Sequence, residues 1–266
     1  MVKKLFKHEC LAWLRVLPII YGILLVVAAL NCVFRLFETD AVYYEIIIGM
    51  TTFMYVVAVF VCMAAPVVFG ISRFYRNLFT GEGYLSFTLP VTPANHLWVK
   101  SATAVAFSLL SYLTVALSLL ILFVGEDFTE VHKAWVYFFG EIPSGHLVGY
   151  VAEAALLVLV SLFSQYLFFY ACICLGQLFR KNRILAAVGV YFGFYVLSQI
   201  LSTVFMVIMA LSEATGVLNS LDIFIDQNPF VFSHIVIAGS VLLYALLAGL
   251  YYLICYTVIR KKLNLE

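Results

Sequence analysis

The sequence predicts an all-α, polytopic membrane protein with six transmembrane helices. Three observations carry that class. Of 266 residues, 65% are hydrophobic and only 11% charged, where a soluble domain holds about a quarter charged. Six stretches, 16–34, 46–72, 101–125, 154–179, 184–212 and 227–259, contain no Asp, Glu, Lys or Arg. Each matches the roughly 20 residues that cross a ~30 Å hydrocarbon core as a helix. Their apolar character is continuous rather than alternating, which selects helices over the strands of a barrel.

Residues 1–15 read as a short amphipathic, interfacial helix. Val2, Leu5, Phe6, Cys10 and Trp13 recur at helical spacing, with Lys3, Lys4, Lys7 and His8 off that stripe. Such a helix lies in the headgroup layer, its lysines near anionic lipid; a plain positive anchor for the first span is the other reading. The first span is assigned to 16–37. Arg15 and the length of the apolar run argue against a cleaved signal. The second span, 44–72, carries Pro66 and then Gly70, where a lost hydrogen bond invites a kink. A cytoplasmic segment, 73–96, leads to the third span at 97–124. The outer loop 125–146 is aromatic enough for a short interfacial helix. Spans four and five are placed at 147–179 and 184–212. Residues 213–232 mix apolar and acidic side chains and read as an outer segment, re-entrant if protein or water covers its backbone. The last span is 233–259. No repeat or soluble domain interrupts this order, so 1–266 reads as a single transmembrane domain.

Charge sets the orientation. Lys3, Lys4, Lys7 and Arg15 precede span one, Arg73, Arg76 and Lys100 lie between spans two and three, Arg180, Lys181 and Arg183 between four and five, and Arg260, Lys261 and Lys262 after six. Only Arg35 and Lys133 fall on the other face, where Glu38, Asp40, Glu45, Glu126, Asp127, Glu130, Glu141, Glu213, Asp222 and Asp226 gather. The positive-inside rule therefore predicts cytoplasmic N- and C-termini. The net charge of +1 gives no reason to expect a nucleic-acid partner.

Catalytic and metal signatures are missing. No glycine is followed by lysine, which excludes a Walker phosphate loop, and there is no HExxH helix. The five histidines, at 8, 96, 132, 146 and 234, are scattered, and none stands at metal-ligand spacing from Cys, Asp or Glu inside a span. Five of the six cysteines lie in spans, so no disulfide framework is implied; Cys172 and Cys174 point to different helix faces and read as packing rather than a metal site. Polar groups in the membrane are few. Asn31 and Arg35 sit near the outer end of span one and Glu153 near the outer start of span four. Arg35 and Glu153 either pair, face a polar cavity, or snorkel to the interface. Ser161, Ser164, Gln165, Ser198, Gln199 and Ser202 either hydrogen-bond across helices or line a pathway. Gly189 and Gly193, four residues apart, offer a close-approach face for another helix.

The segment "RFYRNLFTGEGYLSFTLPVTP", 73–93, is too patterned for a plain connector. Apolar Phe74, Leu78, Tyr84, Leu85, Phe87 and Leu89 line one side of short interfacial helices broken at Gly81-Glu82-Gly83, where glycine permits tight reversal. With Arg73, Arg76, Gly83, Tyr84, Leu85, Leu89, Pro90, Val91, Thr92 and Lys100 in this order, the segment resembles the loop between spans two and three in the membrane subunits of ABC-2 type ABC transporters, in particular the compact permeases of Gram-positive bacteria. The motif covers the loop; span count and topology cover the whole chain.

The resemblance implies a permease subunit in a bacterial plasma membrane. It implies that the loop is a coupling helix seated on a separate ABC ATPase subunit, with Arg73, Tyr75, Arg76, Asn77, Gly81, Glu82, Gly83, Tyr84, Leu85 and Pro90 as coupling residues. Arg73, Arg76 and Glu82 would contact the ATPase or the N-terminal helix. That helix would be the connecting helix, with Lys4, Phe6, Lys7 and Trp13 as its contact residues. Two permeases, identical or sister, and two ATPases would form the working unit, with ATP and Mg bound in the ATPase and no cofactor or catalytic residue in this chain. Asn31, Arg35, Gln165, Gln199, Gly189 and Gly193 would serve the pathway or helix contacts. The aromatic, nearly charge-free spans suit an amphipathic peptide, lipid or drug as cargo. Two other classes stand beside this one: an intramembrane enzyme, which would need a clustered catalytic set near one leaflet, and a membrane scaffold or assembly factor without transport.

Overall fold

A computed structural model describes residues 2–37, 42–80, 92–123, 133, 136, 143–179, 182–216 and 219–261. The elements are α1 (Val2–Trp13), α2 (Leu17–Leu36), α3 (Val42–Phe79), α4 (Pro93–Leu122), α5 (Ser144–Gly176), α6 (Arg183–Ala214), α7 (Asn219–Gln227) and α8 (Pro229–Lys261). There is no strand among the described residues. Six helices, α2 to α6 and α8, are long and apolar enough to cross a membrane, and the chain is a multi-pass membrane protein.

Proline sets where several of these helices begin. Pro18 stands in the first turn of α2, Pro93 opens α4 behind an extended Thr92, and Pro229 opens α8. The first turn has no intrahelical partner for its N–H groups, so proline loses nothing there and its fixed φ is already helical. Pro66 is different. It lies inside α3, which continues past it as one helix of 38 residues. At 1.5 Å per residue that is about 57 Å, far more than a ~30 Å hydrocarbon core. The helix therefore does not stop at 72 as the sequence suggests; it carries Arg73, Arg76 and Asn77 on its last turns. The expected coupling residues Gly81, Glu82, Gly83, Tyr84, Leu85 and Pro90 lie outside the described residues, as does most of the outer loop 125–146.

The helices pack as two compact units, Met1–Ile142 with Leu265–Glu266 and Pro143–Asn264, within what the sequence reading takes as a single domain. In the first unit α2 packs on α3 and α4, α3 on α4, and α1 on α4. Leu17, Tyr21, Leu24 and Ala28 turn one face of α2 inward. On α4 the buried face past Phe107 is polar and small, with Ser108, Ser111, Thr114 and Ser118 inside and Leu113, Leu117 and Leu120 outside. In lipid there is no hydrophobic drive to bury leucine, while small residues let backbones approach and hydroxyls find partners. Tyr21 on α2 donates to the Phe107 carbonyl at 3.0 Å and bonds Ser111 Oγ at 2.8 Å. Tyr55 on α3 bonds Ser118 Oγ at 2.9 Å.

In the second unit α5 is flanked by α6 and α8, and α7 packs on α8. Leu162, Tyr166, Tyr170 and Cys174 follow one another at i, i+4 along the buried face of α5. Phe168 meets Tyr191 of α6 and Tyr251 of α8 with ring centres 5.7 and 5.3 Å away. Asn182, at φ 53°, turns the chain into α6 through the left-handed region, which Asn tolerates better than most residues. At that corner a Cβ on Gly176 would sit 2.7 Å from the Ala187 backbone nitrogen, so only glycine fits. Gly216, at φ 70°, follows the end of α6. The expected outer segment 213–232 contains α7 and the first turn of α8.

Candidate functional site

The first unit joins three parts of the sequence at one point. Trp13, 2% exposed, ends α1. Its ring lies 5.2 Å from Phe107 of α4 in a stacked pose and 5.0 Å from Phe69 of α3 edge-on. One turn back along α1, Glu9 is buried between two cations. Lys100 Nζ donates to Glu9 Oε1 at 2.6 Å, and Arg73 Nη2 donates to Glu9 Oε2. The Arg73 guanidinium also rests 5.8 Å over the Phe69 ring. Glu9 and Lys100 side chains are each 8% exposed and Arg73 25%. A buried carboxylate is costly unless paired and hydrogen-bonded, and here each oxygen receives a charged donor. Burial alone would push the Glu9 carboxyl up; the charge of Lys100 and hydrogen bonds from Arg73 and Lys100 outweigh it and hold the group below the ordinary carboxylate range.

Beside this cluster lies a cavity of about 40 Å³, lined by Leu5, Glu9, Asn77, His96, Val99 and Lys100. It has room for water. Arg73 and Asn77 belong to the last turns of α3 and His96 and Lys100 to the first turns of α4, so the cluster brackets segment 81–91 from both sides. Tyr75 is half-buried and packs towards Phe79, their centroids 6.5 Å apart. Arg76 is exposed, and its carbonyl accepts from Thr80.

Several expected positions fall otherwise. On α1 the inward face is Leu5, Glu9 and Trp13, while Phe6, Lys4 and Lys7 are exposed; the apolar stripe through Val2 and Phe6 faces away from the packed unit. Asn31 is buried, donating to Thr51 and Thr52 at 3.3 and 3.1 Å and accepting from Arg35 Nε at 3.1 Å. Arg35 thus pairs within its own helix, and Glu153 pairs with a histidine, His234 Nδ1 to Glu153 Oε2 at 2.8 Å. The His234–Glu153 contact is one the sequence does not announce, since 81 residues separate its members. Ser161, Ser198 and Ser202 donate to carbonyls three residues back on their own helices. Gln165 and Gln199 are exposed, and a Cβ on Gly189 or Gly193 would meet nothing within 4 Å.

Sequence reasoning missed Glu9. Its signal is present: a lone acid among lysines, four residues after Leu5 and four before Trp13. Among the described residues no group of three His, Cys, Asp or Glu is placed to hold a metal ion. No family model, curated protein or solved structure matches the chain, so its functional reading stands on these residues and their geometry.

Proposed function

We propose that the chain is the permease subunit of an ATP-driven exporter of the ABC-2 type, working in a bacterial plasma membrane beside a second permease and two ATPase subunits. The observation that carries this reading is the Glu9 cluster. It fastens α1, the proposed connecting helix, to Arg73 before and Lys100 after the segment that resembles a coupling element. A push on that segment would then reach α1, α3 and α4 together, because a buried ion cluster and a ring stack resist local shear. ATP and Mg would bind in the partner, and the spans would line the route of an amphipathic peptide, lipid or drug.

The test is co-expression with a candidate ABC ATPase, purification of the pair and measurement of ATP hydrolysis in lipid. Co-purification and a hydrolysis rate that falls at least several-fold in Tyr84→Ala and Glu82→Ala are expected. Failure of candidate ATPases to co-purify, together with unchanged cellular phenotypes in Arg73, Glu82 and Tyr84 variants, would remove this reading in favour of a scaffold role.

A further inference from the structure

The second unit holds a chain of titratable groups that the proposed transport role does not use. His146, Tyr150 and Glu153 stand at i, i+4 and i+7 near the start of α5, on one face of the helix. His234 comes from the second turn of α8. Its Nδ1 lies 2.8 Å from Glu153 Oε2 and its Nε2 lies 3.1 Å from His146 Nδ1. Tyr150 stacks on His234 with centroids 4.2 Å apart and planes 10° from parallel, and donates its hydroxyl to the Phe230 carbonyl at 3.1 Å. His146 stacks on Phe230 at 5.3 Å. Gly149 lets the His234 ring lie against α5, since a Cβ there would come within 3.2 Å of His234 Cε1. The rings are held from both sides, and all of the polar contacts run in one line.

We propose that His146, His234 and Glu153 form a proton-binding relay, which takes a proton at the start of α5 and delivers it to Glu153 about 10 Å further along that helix. The bonding rules define how it works. An ionised Glu153 only accepts, so His234 Nδ1 carries hydrogen and His234 Nε2 is a bare acceptor; His146 Nδ1 must then donate to it. A proton arriving at His146 Nε2 forms an N–H bond there. The His146 Nδ1 hydrogen moves to His234 Nε2, and the His234 Nδ1 hydrogen moves to the Glu153 carboxylate. Two N–H bonds break, two N–H bonds and one O–H bond form, and the cluster has gained one proton. Every hydrogen bond survives with its direction reversed. Further protons go to the two bare ring nitrogens, His146 Nδ1 and His234 Nδ1; once both imidazoles carry two hydrogens, both of the nitrogens that face each other at 3.1 Å hold hydrogen and that link breaks.

Histidine is the side chain whose charge changes between pH 5 and 8, which suits it to this task. Among the described residues, the titratable groups facing the His146–His234 link are Glu153 and Tyr150 from α5. Asp226 on α7, which packs on α8, is exposed. The relay requires no ATPase, so its test is separate from that of the transport role.

The full chain in lipid nanodiscs, carrying ring-¹⁵N histidine, provides the measurement. With only five histidines, single substitutions assign the signals. A hydrogen-bond coupling between the His146 and His234 rings is expected at pH 8 and should vanish in acid. The ring coupling should be absent in His234→Gln, and His146→Gln supplies the reciprocal reading if His234→Gln does not fold. The infrared carbonyl band of a protonated carboxylic acid should appear on acidification and be absent in Glu153→Gln. Wild-type rings without coupling at pH 8, or with a coupling that persists in acid, would overturn the linkage; a wild-type protein that never shows the Glu153 carbonyl band would overturn delivery to the carboxylate.

Discussion

Glu9 is the residue on which the first unit turns. One carboxylate satisfies Arg73 and Lys100 at once, so its loss leaves two buried or half-buried cations side by side. Removing one partner of a buried pair typically costs 3–5 kcal/mol. Because Arg73 is a quarter exposed, Glu9→Gln should cost about 3 kcal/mol, read as a Tm drop of roughly 6–12 °C in detergent. Adding Lys100→Met should restore part of that loss, since it removes one of the two cations left beside each other. The pH dependence has a definite sign. Glu9 is held below its ordinary value of 4.5, so the unfolded chain takes up this proton at higher pH than the folded one. The stability is fully present above pH 4.5 and is lost as pH falls through the lowered folded value. Thermal scans at a series of acid pH values should show wild type and Glu9→Gln converging as pH falls; a constant gap would mean that Glu9 contributes by packing alone. Trp13→Ala should remove the stack on Phe107 and cost about 3–5 kcal/mol.

Helices carry two further expectations. Gly176→Ala drives a methyl to 2.6 Å from the Ala187 Cβ and 2.7–2.8 Å from its backbone, and backbone cannot swing aside as a side-chain tip can. It should destabilise the α5–α6 corner by about 1–3 kcal/mol, visible as faster proteolysis between those helices. Gly189 and Gly193 predict the opposite pattern. A Cβ at either meets nothing within 4 Å, so with leucine at both the thermal stability of the purified chain should hold. If that face receives the second permease, crosslinked dimer should fall several-fold; an unchanged dimer would move the contact elsewhere. At this scale the sequence was only partly readable. Span number and position follow from apolar length, which lipid dictates. Which face of a helix turns inward does not, because the usual rule reverses in a membrane. Phe6 faces out and Glu9 in; Leu117 faces out and Ser118 in. The His146–His234–Glu153 line was invisible for a different reason. Its members on α5 are spaced regularly, but their partner is more than 80 residues away, and nothing local announces it.

For the molecule as a whole, the thirteen cytoplasm-assigned cations against Arg35 and Lys133 make a prediction about sidedness. Reporter fusions at both termini should be active on the cytoplasmic side only, and a fusion after residue 130 only outside. Fusions giving the reverse at either terminus would change the number of crossings.

The long separation within the Glu9 cluster also has a consequence in time. Glu9 is made before its partners, and Lys100 lies 91 residues later. At about 5–20 residues per second, the acid waits roughly 5–18 s for its second cation. Until Arg73 is made the carboxylate has neither cation, and until Lys100 is made Oε1 lacks its charged donor, so α1 must stay with its acid in water while α2 and α3 are inserted. The closing of this cluster therefore marks the arrival of the first turns of the third span. A ribosome-bound chain ending before residue 100 should leave position 9 open to a water-soluble thiol reagent in Glu9→Cys, and a chain extended well beyond it should not.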